Sequence, residues 1–171
     1  MSDWMLGGPG RRQQPEEGYD VMQVCLNGHQ ITDVAEFLPH QRKQYCPACG
    51  ERTIDACPEC NAPIQGHLKG VISKPAKVPN NCQNCGTAYP WRQGAIANAI
   101  EVVQMEMDAA DAASVPDLVQ MVTVEAPRTQ VAALKLKKLL GKLGKPAYDI
   151  SIHVLSDLMS ETAKKTFGMA P

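Results

Sequence analysis

Residues 46–60 read Cys46-Pro-Ala-Cys49-Gly-Glu-Arg-Thr-Ile-Asp-Ala-Cys57-Pro-Glu-Cys60, two Cys-x-x-Cys knuckles with seven residues between them. Outward from them lie Cys25-Leu-Asn-Gly-His29 upstream and Cys82-Gln-Asn-Cys85 downstream. The four pairs use all seven cysteines, and His29 fills the place of a missing eighth. Two thiolates so spaced can turn inward to occupy two corners of a tetrahedron, and a second pair returned by a loop supplies the other two. Cys25, His29, Cys46, Cys49, Cys57, Cys60, Cys82 and Cys85 therefore predict two Zn2+ ions per chain, in closed structural sites. His40 and His67 are the substitutes for His29, each in a predicted hairpin loop, whereas His153 reads as a helix-surface residue.

Other uses of the cysteines fit less well. Disulfides need an oxidising compartment, and the opening segment MSDWMLGGPGRRQQPEEG has no apolar signal run, which predicts a cytoplasmic setting. An odd cysteine count also suits a disulfide framework badly. A redox dithiol needs one Cys-x-x-Cys near a βαβ pattern, and here there are three.

Spacing leaves two ways to share the metals: sequential pairs in one site, or alternate pairs in a cross-brace. Sixteen residues separate His29 from Cys46 and 21 separate Cys60 from Cys82, similar loops that each suit a β-hairpin. The seven between Cys49 and Cys57 make a natural linker, so sequential pairing is favoured. Gly28, Gly50 and Gly86 sit where a knuckle needs positive φ beside its second ligand. Pro47 and Pro58 fix φ just after the first.

Composition sets further bounds. The 171 residues suffice for one or two small domains, 20% are charged, and the formal charge is -1. Seven thiolates and two divalent ions would move it to about -4, which counts against whole-surface nucleic-acid binding. No apolar run approaches the roughly 20 residues that span a bilayer.

Along the chain, residues 1–18 read as a flexible tail in which Trp4 and Leu6 are the only docking candidates. Residues 19–92 hold the ligand pairs among scattered Gly and Pro, and form the predicted tandem zinc-ribbon domain. Such a stretch cannot build a large apolar core, so metal must supply much of its stability. Residues 93–171 form a helical domain. Ile96, Ile100, Val103 and Met107 mark one face of a helix over 94–110. Ser114-Val-Pro116-Asp117 opens a segment through Val124 that reads as a short helix or, from its alternation, a strand. Thr129 caps a helix over 130–143 with Ala132, Leu136, Leu139, Leu140 and Leu143 as its stripe, and Gly144 ends it in a left-handed cap. A last helix over 147–166 carries Ile150, Val154, Leu155 and Leu158 and stops at Gly168. The short turn between these two predicts an antiparallel hairpin. The expected fold class is a small metal-stabilised β region of two zinc ribbons followed by an all-α C-terminal region.

The stretches GYDVMQVCLNGHQITD, YCPACGERTIDACPECNAPIQG and CQNCGTAYPW together resemble an uncharacterised bacterial tandem zinc-ribbon family carried as a domain of unknown function. The stretch APRTQVAALKLKKLLGKLG resembles the helical tail of that family. The resemblance implies two zinc ribbons, a helical C-terminus and no assigned reaction.

No catalytic constellation stands out. Both predicted sites have four protein ligands and leave no position for water. No P-loop, GxSxG, HExxH or zinc-deaminase pattern is present. Asp33 and Glu36 read as solvated carboxylates near the first site. Between Arg128 and Lys145 there are six basic residues and no acid, and Lys135, Lys138, Lys142 and Lys145 share one helix face. A second basic cluster, Lys69, Lys74 and Lys77, lies in the 61–81 loop. The helix lysines suit nucleic-acid phosphates, an anionic membrane surface, an acidic partner or plain solvation; the apolar face lacks the Trp or Phe that anchors a helix in a membrane, and sparse aromatics argue against base stacking. The expected function is a non-catalytic zinc-binding adaptor or scaffold mediating protein-protein contacts, with a protein partner or self-association. The width of the leucine stripe points weakly to a dimer. The alternative is a nucleic-acid-associated protein using the basic helix and the second-ribbon loop.

Overall fold

A computed structural model of the chain describes residues 18–71, 74–105 and 107–169. Apart from Gly18, the expected tail, with Trp4 and Leu6, lies outside them. The chain divides into two compact units, with the division between Tyr89 and Pro90. The first is a small β region containing both cysteine clusters, and the second is helical.

In the first unit the strands are β1 (Tyr19–Val21), β2 (Gln23–Cys25), β3 (Gln30–Thr32), β4 (Thr53–Ile54) and β5 (Gln65–Leu68). A single turn of 3-10 helix covers Pro39–Gln41. β2 is the centre of a three-stranded antiparallel sheet, with β3 on one side and β4 on the other. β5 pairs with β1 instead of forming a hairpin of its own, so the 61–81 stretch departs from the expected second ribbon hairpin. Gly66 makes that pairing possible, because a Cβ there would lie 2.9 Å from the Asp20 carbonyl oxygen and the Val21 carbonyl carbon of β1 and would overlap the Asp33 carbonyl oxygen. No side chain fits. Asp20, buried in β1, fastens the turn after β3 by accepting the backbone N–H groups of Glu36 and Phe37 at 2.8 and 3.1 Å.

Among the described residues, the buried apolar side chains of this unit are Met22, Val24, Ala35, Ile64 and Tyr89 together with Cys25, Cys46, Cys57 and Cys82. Nearly half of that small set consists of cysteines from the two clusters. A core so thin leaves the conformational entropy of the chain largely unopposed unless the clusters are cross-linked.

The second unit contains α1 (Pro90–Gln104), α2 (Ala109–Ala112), α3 (Val115–Val122), α4 (Thr129–Leu140), α5 (Lys145–Ser156) and α6 (Glu161–Phe167). Its core joins Ala99 and Val103 of α1, Val115, Val119 and Val122 of α3, Leu136 and Leu140 of α4, and Leu155 of α5. The segment opened by Ser114 is a helix, and its valines face inward. The stripe of α4 is spent on this core, with Leu139 and Leu143 packed partly buried against it. The width of the stripe therefore reflects packing within the chain and gives no support to a dimer.

Several boundaries differ from expectation. α1 begins at Pro90, inside the stretch assigned to the ribbons, and ends at Gln104, so Met107 lies beyond it. Thr129 is the first residue of α4 and not its cap. Its buried hydroxyl donates to the Val124 carbonyl at 2.7 Å and accepts the Ala126 N–H, closing the turn before the helix. Gly144 is extended and precedes α5, while α4 ends at Gly141 in right-handed geometry. α4 packs chiefly on α3 and α6, and α5 on α1, so the expected α4–α5 hairpin is not the packing unit. The single helix over 147–166 is two, and Ser160 caps the second by accepting the Ala163 N–H. Ile150 is largely exposed. Gly168 does end α6 with φ of 81°. Among the described residues no helix is long and apolar enough to cross a membrane.

Candidate metal centres

The three Cys-x-x-Cys knuckles share one backbone design. Cys46, Cys57 and Cys82 each donate their N–H to the carbonyl five residues on, at Glu51, Ala62 and Thr87, at 2.8 Å in all three. The residue after the second cysteine donates back to the first: Gly50 to Cys46, Asn61 to Cys57 and Gly86 to Cys82. That residue has positive φ each time, 74° at Gly50, 58° at Asn61 and 77° at Gly86. A single β-bridge then closes each loop, Tyr45 with Arg52, Ala56 with Pro63 and Asn81 with Ala88. The Cys25–His29 knuckle is the variant. Gly28, φ 87°, donates to the Cys25 carbonyl, and β2 and β3 close the loop.

These four knuckles come together in two groups, Cys25, His29, Cys46 and Cys49, and Cys57, Cys60, Cys82 and Cys85. The grouping is sequential. Within each group the ligand atoms all lie within 4.8 Å of one another. Cys25 Sγ is 3.8 Å from Cys49 Sγ and 3.4 Å from His29 Nδ1, which is itself 3.7 Å from Cys46 Sγ. In the second group Cys57 to Cys85 is 3.8 Å and Cys60 to Cys82 is 3.6 Å. Metal–sulfur bonds of about 2.3 Å in a tetrahedron set sulfur–sulfur edges of about 3.8 Å, so each cluster has the size of a four-ligand zinc site. Three thiols with one imidazole, and four thiols, are donor sets that could hold such an ion. His40 lies on the 3-10 turn, and neither it nor His67 belongs to a cluster. His67 faces Asp33 at 3.4 Å.

The backbone prepares the sulfurs for the charge that metal binding requires. The His29 N–H donates to Cys25 Sγ at 3.2 Å. At Cys82 the N–H of Cys85 is the main influence and lowers the thiol's pKa, and at Cys49 the N–H of Glu51 does the same. Burial dominates at Cys25 and Cys57 and raises theirs. A donor aimed at sulfur favours the thiolate, the form that binds metal.

Residues beyond the eight also reach these sulfurs. The Asn27 amide donates across the first site to Cys49 Sγ at 3.6 Å, and the Asn84 amide donates across the second to Cys60 Sγ at 3.5 Å. Each Asn stands two residues after the first ligand of its own knuckle, a repeat visible in the sequence. The Thr87 hydroxyl bonds Cys85 and lowers its pKa. Burial, and then a hydroxyl bond to Cys82, raises that of Tyr89. Such outer partners orient ligands and offset the charge of a thiolate-rich site.

Asp33 is engaged rather than solvated, whereas Glu36 is half exposed but paired. Asp33 accepts the Ala76 N–H at 2.8 Å as well as facing His67, and Glu36 pairs with Lys69 at 3.0 Å. Both tie the 61–81 loop to the segment after β3. On the helical unit Lys142 pairs with Asp111 at 2.5 Å and Lys145 with Asp149 at 3.1 Å. Lys74 and Lys77 are exposed in the loop.

Residues 18–167 match the family described as "Uncharacterized protein conserved in bacteria (DUF2321)". No curated protein and no solved structure matches the chain.

Proposed function

We propose that this chain, which belongs to the DUF2321 family of bacterial proteins, is a non-catalytic cytoplasmic adaptor that binds two zinc ions and works through protein contacts. One observation carries the reading: each cluster has four protein donors at tetrahedral spacing. A site filled by its own side chains has no open position at which to activate water, and its metal acts as a cross-link. Zinc suits the sulfur-rich donor sets better than the hard cations, which prefer oxygen.

Phosphate contact is the weaker reading. Three of the seven lysines that would serve it, Lys69, Lys142 and Lys145, are already paired with carboxylates. A polyanion would have to displace them.

Cobalt substitution tests the closed-site reading. Co2+ loaded in place of zinc should give tetrahedral thiolate spectra for two ions, unchanged by added cyanide or imidazole. A band shift on adding either would mean an open coordination position and would overturn the closed-site reading.

A further inference from the structure

Residues 93–127 carry six acidic side chains and no basic one, whereas residues 128–145 carry six basic and no acidic. The fold brings parts of these two blocks to facing walls of one open trough of about 520 Å³. Ser114, Asp117 and Leu118, at the start of α3, form one wall, and Lys135, Lys138 and Leu139 of α4, with Lys142 just beyond it and paired with Asp111, form the other. Lys135 and Lys138 are exposed and form no ion pair among the described residues. Val131 and Leu134, more than half exposed, stand one turn before them on the outer side of α4.

We propose that this trough is a self-association face, occupied by the same trough of a second copy related by a two-fold axis. The proposal rests on the reading of the chain as one that works through protein contacts, and it names one such partner. A face with opposite charges on its two walls is complementary to itself under a two-fold, because the lysine wall of each copy then meets the Asp117 wall of the other. Val131 and Leu134, the exposed apolar side chains of α4, supply the apolar area that charge alone lacks. A nucleic-acid backbone fits worse, since it would bring phosphates against Asp117. Attraction of this kind between exposed groups is screened by salt.

Sedimentation equilibrium of the zinc-loaded full chain tests this. Wild type should show a reversible micromolar dimer at low salt that weakens as salt rises. K135E/K138E and D117K should each raise the dimer Kd by about tenfold or more, with helix content retained by circular dichroism. Mixing the two variants should restore association as a heterodimer. A wild-type chain that stays monomeric overturns the proposal, as does a dimer indifferent to all three reversals. A monomer that binds mixed-sequence duplex DNA, and loses it in K135E/K138E, overturns it too and assigns the lysines to phosphate. A monomer whose cobalt sites are closed would remove this face while leaving the adaptor reading in place.

Discussion

At the residue scale, the metal centres depend on a few backbone angles that only certain side chains tolerate. Gly50, Gly86 and Asn61 occupy equivalent left-handed positions, yet only the first two are glycine. A Cβ at Gly50 or Gly86 would meet nothing, so the cost of adding one is conformational and not steric. Gly50→Ala should cost about 1 kcal/mol, read as a roughly fivefold loss of zinc affinity at the first site alone. Asn61→Gly should be neutral or slightly favourable at the second, because asparagine already bears part of that cost. Chelator competition on each variant measures both; equal losses at the two sites would contradict the local account. The glycines were legible because Cys-x-x-Cys-Gly repeats, and Asn61 was not because it breaks the repeat. Asn27 and Asn84 were equally visible, but their bonds cross to a facing knuckle, which spacing within one pair does not reveal. Tyr89 was hidden for a similar reason, standing apart from every Cys-x-x-Cys.

At the element scale, apolar periodicity found the helices and misjudged their ends. Stripes report which face is buried, whereas termini depend on which groups satisfy the last carbonyls and first N–H groups. The break after α5 shows the difference. Leu155, Leu158 and Met159 keep a helical rhythm of buried residues through it, but Ser160 turns its N–H to the Val122 carbonyl at 2.9 Å and starts α6. Ser160 followed by Glu161 was the available signal, a cap with an acid in the first turn. Arg92 of α1 works at the same junction, donating to the carbonyls of Thr123 and Leu158 at 3.0 Å each. Glu125 adds to the start of α6 by accepting the Thr162 N–H at 2.9 Å, and that bond lowers its pKa from the ordinary carboxylate value. A depressed folded-state value means that this contribution is present above the unfolded pKa and is lost as pH falls through the folded one. Glu125→Gln should therefore lower the melting temperature of the helical unit at pH 6 by a small margin that shrinks as pH falls through the titration of this carboxylate. A margin that persists or grows in acid would show that Glu125 acts through packing instead.

At the scale of the whole molecule, the two units are stabilised by different physics. The helical unit has a continuous core drawn from α1, α3, α4, α5 and α6, and amphipathic helices with a shared core hold together by burial. The β unit has strands of two to four residues and a handful of buried side chains, several of them cysteines from the clusters. On the two-zinc reading, its folding free energy comes largely from metal coordination, because so few apolar side chains are buried. A strong chelator should accordingly abolish protected amides in residues 19–89 while most helical signal survives. Sequential grouping adds a finer expectation. Cys57→Ser removes a ligand from the second cluster only, so native mass spectrometry should find one zinc ion where the parent holds two, with Cys25 and His29 still coordinated. Acid should act in the same direction as chelation, since protons compete for thiolate and imidazole as pH falls. If Cys57→Ser lost both ions, the two centres would fold as one cooperative body; if chelation melted the helices together with the strands, the separate stabilisation of the two units would be wrong.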